Sequence, residues 1–218
     1  MLKVVVYLFV SIIAVRGLSL MSKTLFVLIP GNGGCGSNTL AANWYGWLNT
    51  EMKSRSWAEI NVSNFPDPFV AKESEWLPHV KKIIGDREKE TVLIGHSSGA
   101  LAAMRLMEQM SLRGVILVSA AYTDLGDENE RASGYFDRDW DWGAQVTNTG
   151  MIHQFHSEDD HLIPVHEARY VAAQLKAVDD KGSVEYEELK GHGHFFDPFN
   201  ELLVAIDSKF RPSEDAEL

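Results

Sequence analysis

The sequence predicts an α/β fold of three layers, with a mainly parallel six-stranded sheet between two layers of helices. Two observations carry this reading. Short apolar runs rich in β-formers alternate with longer helical patterns along the chain, the rhythm of βαβ units with right-handed crossovers. The 218 residues, 45% hydrophobic and 23% charged, also suit one ordinary globular domain.

The first strand is expected over 24–29, an apolar run that ends in Pro30-Gly31-Asn32-Gly33-Gly34 and so reads as a buried strand entering a tight loop. Similar runs occupy 59–62, 91–94, 115–118, 151–155 and 184–189. Helical patterns fall between them at 40–54, 72–84, 98–110 and 165–177, with a last one from about 198 to 210. The connection 119–150 breaks the rhythm, being longer than packing requires and carrying Tyr122, Tyr135, Phe136, Trp140 and Trp142. Segments of this kind over strand ends often shape a substrate pocket, so Tyr135, Phe136 and Trp140 are its expected walls. The competing expectation is that each aromatic only anchors the loop to the core.

At the amino end, Lys3 precedes an apolar run over 4–15 that Arg16 breaks, too short to span a bilayer but suited to the apolar region of a signal peptide. The stretch Val15-Arg16-Gly17-Leu18-Ser19 is a poor small-x-small cleavage site, and Met21-Ser22-Lys23 would be a natural start. The reading favours a dispensable extension over 1–20, a domain over 21–212, an acidic tail over 213–218 and a cytoplasmic location. A secretory or membrane-associated protein follows instead if 1–20 acts as a signal.

A formal net charge of -11 repels a phosphate backbone, so no nucleic-acid partner is expected. The lone Cys35 allows no intramolecular disulfide and no Cys-rich zinc site.

The chemistry centres on Gly95-His96-Ser97-Ser98-Gly99, directly after one predicted strand and directly before a helical pattern, which is the setting a nucleophile elbow needs. A serine on so sharp a turn holds a strained backbone, and side chains at Gly95 or Gly99 would clash. A serine hydroxyl needs a base, and the base needs a carboxylate to hold its tautomer. Downstream, Ser157-Glu158-Asp159-Asp160-His161 follows the fifth strand and Gly191-His192-Gly193-His194-Phe195-Phe196 follows the sixth. The order Ser, Asp, His is that of α/β-hydrolases, though spacing leaves Asp159 or Asp160, and His192 or His194, open. The oxyanion would be held by the backbone N–H groups of Asn32 and Ser98.

A phosphate loop at Pro30-Gly31-Asn32-Gly33-Gly34 is the weaker reading, since no Gly-Lys-Ser/Thr follows. A metal site at His153, His156, His161, His192 and His194 is weaker too, for want of a His-Glu-x-x-His helix. No cofactor and no metal are expected. His96 reads as a packing and hydrogen-bonding residue of the elbow.

Over 21–210 the sequence resembles the retinoblastoma-binding protein 9 family of small serine hydrolases. The resemblance is carried by the glycine loop, Trp44-Tyr45-Gly46-Trp47, Pro66-Asp67-Pro68, Trp76-Leu77-Pro78, the elbow through Ala100, and Asp124-Leu-Gly-Asp-Glu-Asn-Glu-Arg-Ala-Ser-Gly-Tyr-Phe136. It implies a compact α/β-hydrolase with strand order 2-1-3-4-5-6 and a triad of Ser97, Asp160 and His194. Departures are His161 where the family favours proline, and Ile84-Gly85-Asp86-Arg87-Glu88, which lacks the Leu and Cys of the segment behind the family's retinoblastoma association. Retinoblastoma binding is therefore not carried over. The functional expectation is hydrolysis of a small ester or amide through an acyl-enzyme. The rival is a protein-interaction module with a vestigial triad and the 124–136 segment as its docking surface; the oligomeric state is left open.

Overall fold

A computed structural model of the chain describes residues 22–213. The stretch 1–20, and all of 213–218 except Ser213, lie outside the described residues.

Six strands form one sheet: β1 Thr24–Ile29, β2 Ala58–Asn61, β3 Thr91–His96, β4 Gly114–Val118, β5 Ile152–Ser157 and β6 Val184–Leu189. Their order is β2-β1-β3-β4-β5-β6, with every neighbouring pair parallel. This is the expected order. The four inner strands are buried along their whole length while β2 and β6 are half-exposed, because helices cover both faces and only the edges meet water.

The strand alternation sorts the core. Leu25, Val27 and Ile29 of β1 face one helical layer and Phe26 and Leu28 the other, since successive side chains leave opposite faces of a strand. The first layer holds α2 (Glu73–Ile84), α3 (Ser98–Met107), α5 (Trp142–Asn148) and α6 (Val165–Ala177); the second holds α1 (Tyr45–Lys53) and α7 (Asn200–Phe210). All ten residues of α3 are buried, and its run of Gly99, Ala100, Ala102 and Ala103 lets the backbone lie close to the sheet.

Two local readings are corrected. The helix expected over 40–54 is a 3₁₀ stretch, Cys35–Ala41, followed by α1. The chain turns at Asn43 with φ 44°, and the carbonyl of Leu40 approaches Gly46 so closely that a Cβ there would lie 2.3 Å from it, which one continuous helix would not allow. The connection 119–150 also has structure of its own, carrying α4 (Glu128–Ala132) and α5. Fully buried Arg105 of α3 organises it: the guanidinium donates to the carbonyls of Tyr135 (3.1 and 2.6 Å), Arg138 (2.6 Å) and Asp139 (3.0 Å) and to the Glu108 carboxylate (2.8 and 3.0 Å), and lies 3.7 Å from the centroid of the Trp140 ring. A buried guanidinium requires this many acceptors, and they fix the loop in return. Among the described residues no helix is long and apolar enough to cross a membrane.

Candidate active site

Ser97 sits between β3 and α3 with φ 55° and ψ -121°, a region costly for a residue with a side chain. Its N–H donates to Val118 O at 2.9 Å. A Cβ at Gly95 would lie 2.4 Å from the Gly99 carbonyl oxygen, and one at Gly99 would lie 2.1 Å from that of Ile29. Both glycines of the elbow therefore have a steric cause. Ser97 is the one residue of the pentapeptide that is not fully buried.

Asp160, just after β5, and His194, in the loop after β6, are in direct contact. Nδ1 of His194 lies 3.0 and 2.9 Å from the two carboxylate oxygens. The same carboxylate accepts from the N–H groups of Leu162 (2.9 Å) and Ile163 (3.0 Å) and from Ser119 Oγ (2.8 Å). Burial pushes the Asp160 carboxyl up, but the His194 hydrogen bond and charge and the two backbone donors outweigh it and bring it down to about 2. An ionised Asp160 requires the proton of a neutral His194 on Nδ1, which leaves Nε2 as the bare nitrogen.

The neighbouring candidates have other positions. Asp159 accepts from Ser157 Oγ and from the N–H groups of Gly191 (3.0 Å) and Gly193 (3.4 Å), tying the His194 loop to the end of β5. His192 stacks on Phe195, with ring centroids 5.4 Å apart. His153 and His156 are buried within β5, and Nε2 of His156 donates to Ile163 O at 3.0 Å. The five downstream histidines do not converge on a common point.

His96 links three parts of the site. Its Nε2 lies 2.9 Å from the carbonyl of His194 and its Nδ1 2.7 Å from the hydroxyl of Tyr45. A carbonyl only accepts, so Nε2 carries the proton and Nδ1 accepts from Tyr45. The Tyr45 oxygen in turn accepts from the Gly31 N–H (2.9 Å) and from Asn43 Nδ2 (3.2 Å). Burial depresses His96 to about 3, keeping it neutral, and burial likewise raises the Tyr45 phenol. The rings of His96 and His194 lie 5.0 Å apart at their centroids. Sequence spacing did not reveal the Tyr45 link; the only signal was the Trp44-Tyr45-Gly46-Trp47 segment that carried the resemblance.

The glycine loop is tied down on either side of Asn32. Gly31 N–H reaches Tyr45, Gly33 N–H reaches Phe69 O (3.5 Å) and Gly34 N–H reaches Pro68 O (2.9 Å). Among the described residues the N–H groups of Asn32 and Ser98 have no hydrogen-bond acceptor. Both belong to segments that meet Ser97: a Cβ at Gly31 would lie 3.4 Å from the Cβ of Ser97, and Ser98 opens α3.

The sequence also missed Glu130. Its carboxylate accepts from Asn32 Nδ2 at 2.6 Å. Burial raises its pKa, opposed by the Asn32 bond, by the nearby Ser98 side chain and by the charge of His194, and reinforced by the charge of Asp127.

Of the expected pocket walls, only Tyr135 needs correction. Tyr135 is fully buried in the core and walls no open pocket, because Arg105 pulls its carbonyl inward. Phe136 and Trp140 line a cavity of about 570 Å³ with Tyr122, Arg138, Trp142 and Tyr170, and none of Ser97, Asp160 and His194 reaches it.

A doubly covered parallel sheet in this order, with a serine on a strained turn after its third strand, has the architecture of an α/β-hydrolase. Solved structures agree on the fold: that of the ydeN gene product from B. subtilis superposes with a TM-score of 0.73 at 20% identity, covering 87% of this chain and 99% of its own. A monoacylglycerol lipase from Paleococcus ferrophilus gives 0.60 at 17% identity, covering 86% and 94%. The chain belongs to the serine hydrolase family, whose model matches residues 26–196. It is also 41% identical over 193 residues to Serine hydrolase RBBP9 of Rattus norvegicus, covering 88% of this chain and 98% of that protein, as the resemblance implied.

Proposed function

We propose that this serine hydrolase cleaves a small ester or amide through an acyl-enzyme on Ser97, with His194 as general base and Asp160 as its orienting carboxylate. The observation that carries the reading is the two-oxygen contact of Asp160 with Nδ1 of His194, which leaves Nε2 bare, in a loop packed against the residue preceding Ser97. In this reading Nε2 takes the hydroxyl proton as Oγ attacks the carbonyl carbon. The oxyanion forms between the N–H groups of Asn32 and Ser98, and the leaving group departs with the proton from His194. Water then repeats the sequence on the acyl-enzyme and restores Ser97. A fluorophosphonate probe should label the wild type and fail to label Ser97→Ala; equal labelling of the two would refute the assignment.

A cytoplasmic location, a single domain over 21–212 and a small-molecule ester or amide as substrate, with no nucleic-acid partner, complete the proposal. The location rests on the lone cysteine, which suits a reducing compartment, and amino-terminal sequencing of the mature protein tests it.

A further inference from the structure

The proposed mechanism leaves α4 unused, although it reaches the site. Asp127 caps this short helix by accepting from the N–H groups of Asn129 (2.8 Å) and Glu130 (2.9 Å), which sets both following side chains toward the glycine loop. Asn129 Nδ2 donates to Phe69 O at 3.1 Å, the carbonyl that also accepts from Gly33. Glu130 holds the Asn32 side chain directly, from 98 residues away.

Two physical points give this tie a purpose. Asn32 has glycines at 31, 33 and 34, and although their N–H groups are held its own is not, so a side-chain tether removes freedom that the loop sequence does not. Glu130 is also half-buried and, among the described residues, forms no ion pair. Desolvating a carboxylate without a cation is unfavourable, so packing alone is a poor reason for an acid here.

We propose that Glu130 is a positioning residue that grips the Asn32 side chain and so keeps the Asn32 backbone N–H aimed at the oxyanion of the Ser97 adduct. This rests on the reading of Ser97 and Asn32 given above, and it assigns the 124–136 segment a place in the hydrolase rather than in docking.

The test compares Glu130→Ala, Asn32→Ala, their double variant and Glu130→Gln in the full chain. Readouts are kcat/KM for p-nitrophenyl acetate, the inhibition constant of phenylboronic acid, whose tetrahedral adduct presents an oxygen to the same N–H groups, and the thermal midpoint. Removing a whole oxyanion donor costs about 10²–10³ in rate, so loosening one should cost about tenfold. Glu130→Ala and Asn32→Ala should each show that loss, with phenylboronate weakened by the same factor. The double variant should be no worse than either, since the two residues act as a unit. Glu130→Gln, which keeps an acceptor oxygen for Asn32, should recover most of the loss.

Wild-type kcat/KM in Glu130→Ala, multiplying losses in the double variant, or a lowered thermal midpoint with phenylboronate binding unchanged would each overturn the tie. If Glu130→Ala does not fold, Asn32→Ala, at a half-exposed site, decides alone by the same rate and phenylboronate criteria. Ser97→Ala separates the two levels. If it still hydrolyses the ester, the reading of the site fails; if it is inactive while Glu130→Ala runs at the wild-type rate, only the tie fails.

Discussion

Tyr45→Phe removes one oxygen from the interior and should be far more damaging than its size suggests. In the wild type that oxygen donates to His96 Nδ1 at 2.7 Å and accepts from the Gly31 N–H at 2.9 Å, and Tyr45, Gly31 and His96 are all buried. Phenylalanine keeps the ring packing against Trp44, whose centroid lies 5.0 Å away, but strands one buried acceptor and one buried donor. Each unsatisfied group costs about 1–3 kcal/mol, giving about 2–6 kcal/mol together. Asn43 Nδ2, only half-buried, can turn to water and adds little. For a domain of this size 1 kcal/mol corresponds to about 2–4 °C, so the thermal midpoint should fall by about 4–24 °C. Because the lost oxygen ties the glycine loop to the elbow, kcat/KM for p-nitrophenyl acetate should also fall at temperatures where the variant is fully folded. Differential scanning calorimetry and steady-state kinetics on the same preparation check both. A midpoint within about 1 °C of wild type, together with unchanged turnover, would refute the hydrogen-bond reasoning.

Three further outcomes are expected. Asp160→Asn keeps the shape of the acid but no longer fixes the Nδ1 proton of His194, and should lower kcat by about 10⁴; stopped-assay kinetics on a chromogenic ester would detect this. Gly99→Ala drives a methyl into the Ile29 and Pro30 carbonyls, 2.1 and 2.5 Å from the new Cβ, and should cost more than about 3 kcal/mol or abolish soluble expression; a urea midpoint equal to wild type would count against the close approach of α3 to β1. Stability should decline in acid in two windows. His96 is depressed to about 3, so as pH falls from about 6.5 toward 3 the unfolded chain takes up a proton that the native protein refuses, and stability drops. Asp160, held down to about 2, adds a loss between about pH 4 and 2. Urea unfolding at pH 7, 5 and 4 should show the first window, made shallower but not abolished in His96→Gln, because burial also lowers His79, His153 and His156.

The strands were legible because inner parallel strands are buried on both faces and read as unbroken apolar runs. The elbow was legible because its chemistry and its sterics fall within five consecutive residues. What stayed hidden depends on contacts between distant segments. The polar sequence of α4 resembles a solvated loop, and nothing local says that Glu130 reaches Asn32. Likewise nothing around Tyr45 announces a partner 51 positions away at His96. The break before α1 was missed because the apolar spacing of 40–54 continues through it, while the close approach of Leu40 O to Gly46 is a matter of backbone path. Tyr135 looked like a pocket wall because composition cannot tell an aromatic facing a cleft from one drawn into the core by Arg105.

The sheet order also bears on how the protein comes into being. The glycine loop and Ser97 follow β1 and β3, which are neighbouring inner strands of the sheet, and both lie in the first half of the chain. The histidine arrives only after β6, the last strand to be added and the outermost on its side. Because a domain folds as a unit and synthesis proceeds from the amino end, the glycine loop and the elbow are both made before the segment that supplies the base. On the proposed assignment, acyl transfer is withheld until the final strand docks, so a polypeptide stalled in synthesis carries the serine but not the means to use it.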